Sequence, residues 1–304
     1  MASQQNKFVY TTERAASEGV TDHKKLPKLI ETARNLAMAP IKAGAVGLAS
    51  SGRVYLGANV DFEGLSIHAE QFIIANLALN SEPELTHLVV SDDGTVFRGP
   101  CDRCSLFLQE IDNAAQIEVL IKNVNEEDGS FKSLESHMPD KFGPDSILPA
   151  EVSLLMPRDN RLALFNHDSS RRICSNQKRC SHLKCMALKV ALKAANKSYA
   201  PHTECPSGVA LICEGDVYEG WCIETVACNL SLGPVQAALV DFLARGKGKG
   251  FDKITGAVLV EKKGAKVSQE DISTMLLKKI AAPNCDFSVF HCYELPKENT
   301  WDIM

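Results

Sequence analysis

The chain has 304 residues, enough for about two domains of roughly 150 residues. Apolar residues make up 45% and charged residues 23%, a globular balance that excludes collagen-like, low-complexity and wholly disordered chains. With 33 basic against 38 acidic residues the net charge is −5, which argues against a surface built for polyanions, so nucleic acid is not an expected partner. Eleven cysteines is a high and odd number. The polar opening Met1 to Asn6 carries no apolar signal core, and no stretch approaches the roughly 18 apolar residues of a membrane span. A reducing compartment, the cytosol, is expected, with the cysteines read as buried thiols plus a metal site.

In chain order, Leu29-Ile30, Ala33 and Leu36-Ala37 have helical spacing. Ala45 to Ala49 and Arg53 to Val60 read as a hairpin closed at Ser51-Gly52. A helix is expected from about His68 to Leu79, a short strand at Leu88 to Val90, and a helix from Cys101 to Ile111 with Pro100 at its first position. Ile117 to Ile121 reads as another strand. Helices alternating with strands imply an α/β fold with a mixed sheet. From Lys122 to about Leu183 the chain turns polar and irregular.

Residues 184–293 repeat the first half weakly. A helix at Leu188 to Lys197 leads into Ala200-Pro201, echoing Ala39-Pro40. The hairpin of Gly208 to Ile212 and Asp216 to Gly220 echoes the first, and a helix at Val235 to Leu243 echoes the one after His68. The expected organisation is one domain over 20–150, a linker over 151–183 and a second copy of the domain over 184–304.

Three pieces carry chemistry. His68-Ala69-Glu70 opens one expected helix and Pro100-Cys101-Asp102-Arg103-Cys104 another. Thiols three residues apart share one face of a helical turn, and a helix N-terminus favours thiolates. One imidazole and two thiolates supply three ligands to a tetrahedral zinc, leaving the fourth position for water. Glu70 lies two residues from His68, near enough to reach that water without ligating the metal. This His-x-Glu…Pro-Cys-x-x-Cys pattern is the signature of zinc deaminases.

The wider match, Gly57-Ala58-Asn59-Val60-Asp61-Phe62, Ile67 to Phe72, Pro100 to Cys104 and Phe107 to Ile111, resembles the cytidine deaminases. Ser198 to Pro201, Gly233 to Asp241 and Phe290 to Glu294 are similar to the second domain of the two-domain plant and enterobacterial type. The resemblance implies a duplicated three-layer α/β/α unit and a homodimer with one zinc per subunit. It implies hydrolysis of cytidine and deoxycytidine to the uracil nucleosides and ammonia, a step of pyrimidine salvage. Carried onto this sequence, His68, Cys101 and Cys104 bind zinc, which lowers the pKa of water towards about 7 for attack on C4. Glu70 takes the water proton, passes it to ring N3 and later protonates the leaving ammonia. Asn59 and Asp61 stand where the family holds the ribose, and the backbone near Gly99-Pro100 meets the exocyclic amine. In the second half Pro234-Val235-Gln236 replaces His68-Ala69-Glu70, and no Pro-Cys-x-x-Cys follows.

Four departures lie near the chemistry. Asp61 is one methylene shorter than the family's Glu. The loop after Ala39-Pro40-Ile41 lacks the family's stacking Phe, and the segment between Phe62 and His68 is short. Ser91 to Gly99 replaces a much shorter approach to the first cysteine. These changes motivate an alternative, a catalytically impaired paralogue that binds zinc and nucleoside or serves as a dimer partner. A polynucleotide-editing deaminase is opposed by the acidic balance. Cys174, Cys180, His182 and Cys185 fit no standard zinc module, Gly246 to Gly250 lacks the Ser or Thr of a phosphate loop, and the basic stretch Arg171 to Arg179 reads as a solvated linker.

Overall fold

The computed structural model of the chain describes residues 6–62, 65–137, 153–165, 182–226, 231–246 and 248–296. These fall into two units. The first takes the described residues of Met1–Pro157 with Ile223–Leu232 and Leu239–Lys249, and the second those of Arg158–Cys222, Gly233–Ala238 and Gly250–Met304.

In the first unit the strands are β1 (Val9–Tyr10), β2 (Gly44–Ala49), β3 (Val54–Ala58), β4 (Val60–Phe62), β5 (Leu65–Ile67), β6 (Leu85–Ser91), β7 (Glu118–Ile121) and β8 (Ser130–Ser133). The helices are α1 (Thr12–Ser17), α2 (Ile30–Asn35), α3 (Ala69–Leu79) and α4 (Asp102–Leu108). Six strands form one mixed sheet in the order β1-β3-β2-β6-β7-β8, while β4 and β5 make a separate hairpin. Only β6 and β7 run parallel, and their connection passes through α4, because parallel neighbours need a crossover rather than a turn.

Two glycines show how the helices cover both faces of this sheet. Gly44 and Ala45 are consecutive, so their side-chain directions oppose, and Gly57 lies across from Ala45. A Cβ on Gly44 would sit 2.7 Å from the Arg34 backbone of α2, and one on Gly57 would sit 2.0 Å from the Ala69 carbonyl of α3. The two helices therefore pack on opposite faces, and the unit is a three-layer α/β/α sandwich. α3 is buried almost throughout, with Phe72, Ile73, Ile74 and Leu77 fully enclosed.

The second unit contains β9 (Leu162–Leu164), α5 (His182–Lys197), β10 (Ser207–Cys213), β11 (Asp216–Trp221), the start of α6 (Pro234–Arg245), β12 (Ile254–Lys262), α7 (Glu270–Ile280) and β13 (Asp286–Glu294). Its sheet order is β11-β10-β12-β13-β9, with β12 and β13 the parallel pair around α7. The same glycine pairing recurs. Gly208 faces Ala191, Ala194 and Ala195 of α5, while Gly220, across from Val209, faces Ala237 and Ala238. Tyr55 and Tyr218, each two residues before its glycine, are both fully buried. The duplication is thus built to the level of individual residues.

Three expectations are corrected. Leu162–Leu164, inside the stretch read as a linker, pairs with β13 as the edge strand of the second sheet. α4 begins at Asp102 rather than Cys101, since Cys101 has an extended backbone and caps the helix, and Pro100 lies before the cap. The helical spacing read over Leu29 to Ala37 becomes an α-helix only over α2, with Leu29 ending a 3-10 turn, His23–Leu29, that precedes it. Cys174, Cys180 and the basic stretch 171–179 lie outside the described residues, as does Lys247 of the glycine-rich loop. Among the described residues no helix is long and apolar enough to cross a membrane.

Candidate active site

The β4–β5 hairpin delivers the chain to His68, the N-cap of α3. The His68 N–H donates to Gln71 Oε1 at 3.1 Å, a side-chain cap that fixes the first turn and with it the direction of the imidazole. Across from it Cys101 caps α4, and the Ser105 N–H donates to the Cys101 carbonyl at 2.8 Å as the first helical bond. Cys104 follows in the first turn and is fully buried, whereas Cys101 is exposed.

Both sulfurs lie 3.4 Å from His68 Nδ1. Donors of this kind around a tetrahedral zinc, at about 2.1 Å for nitrogen and 2.3 Å for sulfur, stand about 3.6 Å apart. The trio therefore fits zinc in both donor chemistry and spacing. Without a cation the three groups share protons. The Cys101 thiol is pushed down to about 4, chiefly by hydrogen bonding from Cys104 and then from His68. Its partner Cys104 is held protonated by that same hydrogen bond and by burial. Hydrogen bonding to Cys101 raises the pKa of His68 against the opposing effect of burial. A soft dication would replace these protons.

Glu70, on the first turn of α3, is buried. Burial is the main cause that raises its carboxyl above the ordinary range. It lines a cleft of about 570 Å³ together with His68, Cys101, Asn59 and Asp61, a volume within the range of small-molecule sites. The two residues expected at the ribose thus share the cleft with the trio, but they are engaged differently. The Asn59 side chain pins the preceding loop, accepting from the Ala43 N–H at 2.8 Å and donating to the Ile41 carbonyl at 2.7 Å. Asp61 is exposed, and among the described residues its carboxylate has no hydrogen-bond partner.

Ser91 to Gly99 forms a compact loop that also lines the cleft, through Ser91, Asp92, Arg98 and Gly99. Asp93 Oδ1 accepts from the N–H groups of Thr95 and Val96 at 2.7 and 2.8 Å. Ser91 Oγ donates to the Val96 carbonyl at 2.7 Å and accepts from the Gly94 N–H at 2.9 Å. The sequence reading noticed this insertion without assigning its residues to the site. The polar run Ser-Asp-Asp-Gly-Thr carried the signal of a self-capped turn.

The equivalence drawn between the two halves shifts by one residue. Gly233 N–H donates to Gln236 Oε1 at 2.9 Å, the bond that His68 makes with Gln71. Gly233, not Pro234, therefore stands in the place of His68, and Val235, not Gln236, in that of Glu70.

Comparison with known proteins assigns the family. Models of the cytidine and deoxycytidylate deaminase zinc-binding region match residues 20–120 and 134–274. The chain belongs to this family, as a zinc-dependent hydrolytic deaminase of the duplicated α/β class. More particularly it is of the plant two-domain type. It is 70% identical over 302 residues to cytidine deaminase 5 of Arabidopsis thaliana, covering 97% of this chain and 86% of that protein. It is also 48% identical to probable inactive cytidine deaminase 4 of the same plant, covering 96% of this chain and 98% of that protein. Among solved structures, cytidine deaminase from Mycobacterium tuberculosis is 28% identical, covering 40% of this chain and 98% of that one, with a TM-score of 0.35.

Proposed function

We propose that this chain deaminates cytidine and deoxycytidine to uridine and deoxyuridine in pyrimidine salvage, with zinc held by His68, Cys101 and Cys104. When bound, zinc acts as a Lewis acid that makes water nucleophilic near neutral pH. Glu70 moves the protons. Its carboxylate takes a proton from the attacking water as the C4–O bond forms, and delivers it to ring N3. It then carries the second water proton to the exocyclic amine, which leaves as ammonia when the C4–N bond breaks, and Glu70 is regenerated as carboxylate. A buried carboxyl with raised proton affinity suits both halves of this exchange. Asp61 offers an acceptor to a ribose hydroxyl, and Asn59 shapes the loop at that end of the cleft. The second unit serves as a structural copy, and two chains form a cytosolic homodimer.

The observation that carries this reading is the convergence of Glu70, His68 and Cys101 on one cleft with Asn59 and Asp61. It is tested by incubating zinc-loaded protein with cytidine and measuring uridine and ammonia. Stoichiometric release of both is expected, and zinc-loaded protein that turns over neither cytidine nor deoxycytidine contradicts it. The alternative, an impaired nucleoside-binding paralogue, draws on the commitment of the Asn59 amide to Ile41 and Ala43. Cytidine binding without product would favour it.

A further inference from the structure

We propose that Arg98 contributes to nucleoside binding by laying its guanidinium plane against the face of the pyrimidine ring. The inference rests on reading the cleft as a nucleoside site. A pyrimidine bound by its edges alone leaves two flat apolar faces, and proteins cover such faces with aromatic rings or with arginine planes. Among the described residues lining this cleft there is no Phe, Tyr or Trp; its one aromatic ring, His68, stands in the trio proposed to hold zinc, and Arg98 is its one guanidinium. Its backbone is fixed from both sides. The Arg98 N–H donates to the Val90 carbonyl at 3.3 Å, and Phe97 exchanges two backbone bonds with Lys122, at 3.1 and 2.8 Å. The side chain is 64% exposed, and among the described residues its one ion pair is a loose one with Asp92 at 3.9 Å, so it is free to turn over the cleft.

Charge decides between a base and a phosphate as the object of this arginine. Asp61, Glu70 and Asp92 line the same cleft, so three carboxyl groups share it with one guanidinium. A phosphoryl group would meet net repulsion there, whereas an uncharged nucleoside would not.

The test is equilibrium binding of cytidine by calorimetry to zinc-loaded Glu70→Gln protein, in which the ligand persists, with and without changes at Arg98. Relative to this parent, Arg98→Ala is expected to weaken binding about tenfold and Arg98→Phe to return it to within about threefold. Arg98→Lys, which keeps the charge and loses the plane, is expected to stay as weak as Arg98→Ala. Thermal unfolding of each variant at the parent's temperature would show that the loop is intact. Unchanged binding by Arg98→Ala overturns the proposal, as does rescue by Lys and not by Phe. Arg98-dependent preference for cytidine 5′-monophosphate over cytidine would assign the residue to phosphate and overturn it too. If the parent itself binds no cytidine, the nucleoside reading fails and takes this inference with it.

Discussion

His68 and Gly233 occupy the same position in two copies of one helix start, each giving its N–H to the glutamine three residues on. The second copy keeps the cap and lacks the imidazole proposed to hold zinc. The positions of the two cysteines differ as well. α7 is capped by Gln269 as α4 is capped by Cys101, which places Ile272 where Cys104 stands. A buried carboxylate is bonded at this helix start: Glu261 accepts from the Gln269 N–H at 2.7 Å and from Ser268 Oγ at 2.8 Å. The second unit thus has a carboxylate at the helix start where the first has the cap residue Cys101.

That replacement predicts a stability effect without a catalytic one. Glu261→Gln loses a charged acceptor at a helix start and should cost about 1–2 kcal/mol. The urea midpoint should fall while turnover per folded molecule stays at the wild-type value. A fall in turnover with unchanged stability would assign Glu261 a role the geometry does not give it.

Gly57 is the tightest point behind the site, because any Cβ there meets the Ala69 carbonyl at 2.0 Å and Ile73 at 2.8 Å. Gly57→Ala must push α3 away from the sheet, and overpacking of this kind costs about 1–3 kcal/mol. Since α3 carries His68 and Glu70, the purified variant should hold less zinc per chain, measured by atomic absorption, as well as melt earlier. Full zinc content with wild-type stability would contradict the packing described.

The loop of Ser91 to Gly99 should respond to acid. Backbone N–H groups of Val96 and Thr95 hold the Asp93 carboxyl down at about 2, against an ordinary 3.8. A depressed folded pKa means that the contribution of Asp93 is fully present above about pH 4 and is lost as pH falls towards 2. Amide exchange at Thr95 and Val96, corrected for intrinsic rates, should accelerate across that window. In Asp93→Asn the same amides should exchange faster already at pH 5, with little further change on acidification.

Zinc removal should expose one thiol selectively. Cys101 is exposed and Cys104 is fully buried, so chelated protein treated briefly with iodoacetamide should carry the label on Cys101, read by peptide mass spectrometry. Reloading with zinc beforehand should protect it, because alkylation needs the sulfur lone pair that the metal takes. Equal labelling with and without zinc would remove Cys101 from the ligand set.

Much of the fold was legible because its signals are local. Ser51-Gly52 marks a hairpin that closes with Gly52 at φ +82°, and His68-Ala69-Glu70-Gln71 carries its own cap. β9 was missed because three residues, Leu162–Leu164, make no periodic pattern and are strand only through pairing with β13. The cysteine pair of the candidate trio was readable because spacing alone places two thiols on one turn. The one-residue shift at Gly233 was not, since it depends on which backbone N–H the glutamine takes. Nor could sequence show that the Asn59 amide is spent on its own loop, a contact across 16 residues with Ala43.

The central claim is that Glu70 moves the protons of a reaction at a site whose metal it does not ligate. The direct measurement compares uridine formation from cytidine by zinc-loaded wild type and Glu70→Gln, with zinc content determined on both. The account predicts equal zinc, unimpaired cytidine binding and at least about a thousandfold loss of turnover in the variant, on the scale of removing general acid–base catalysis. Comparable turnover by the two proteins, or loss of zinc from Glu70→Gln, would contradict it.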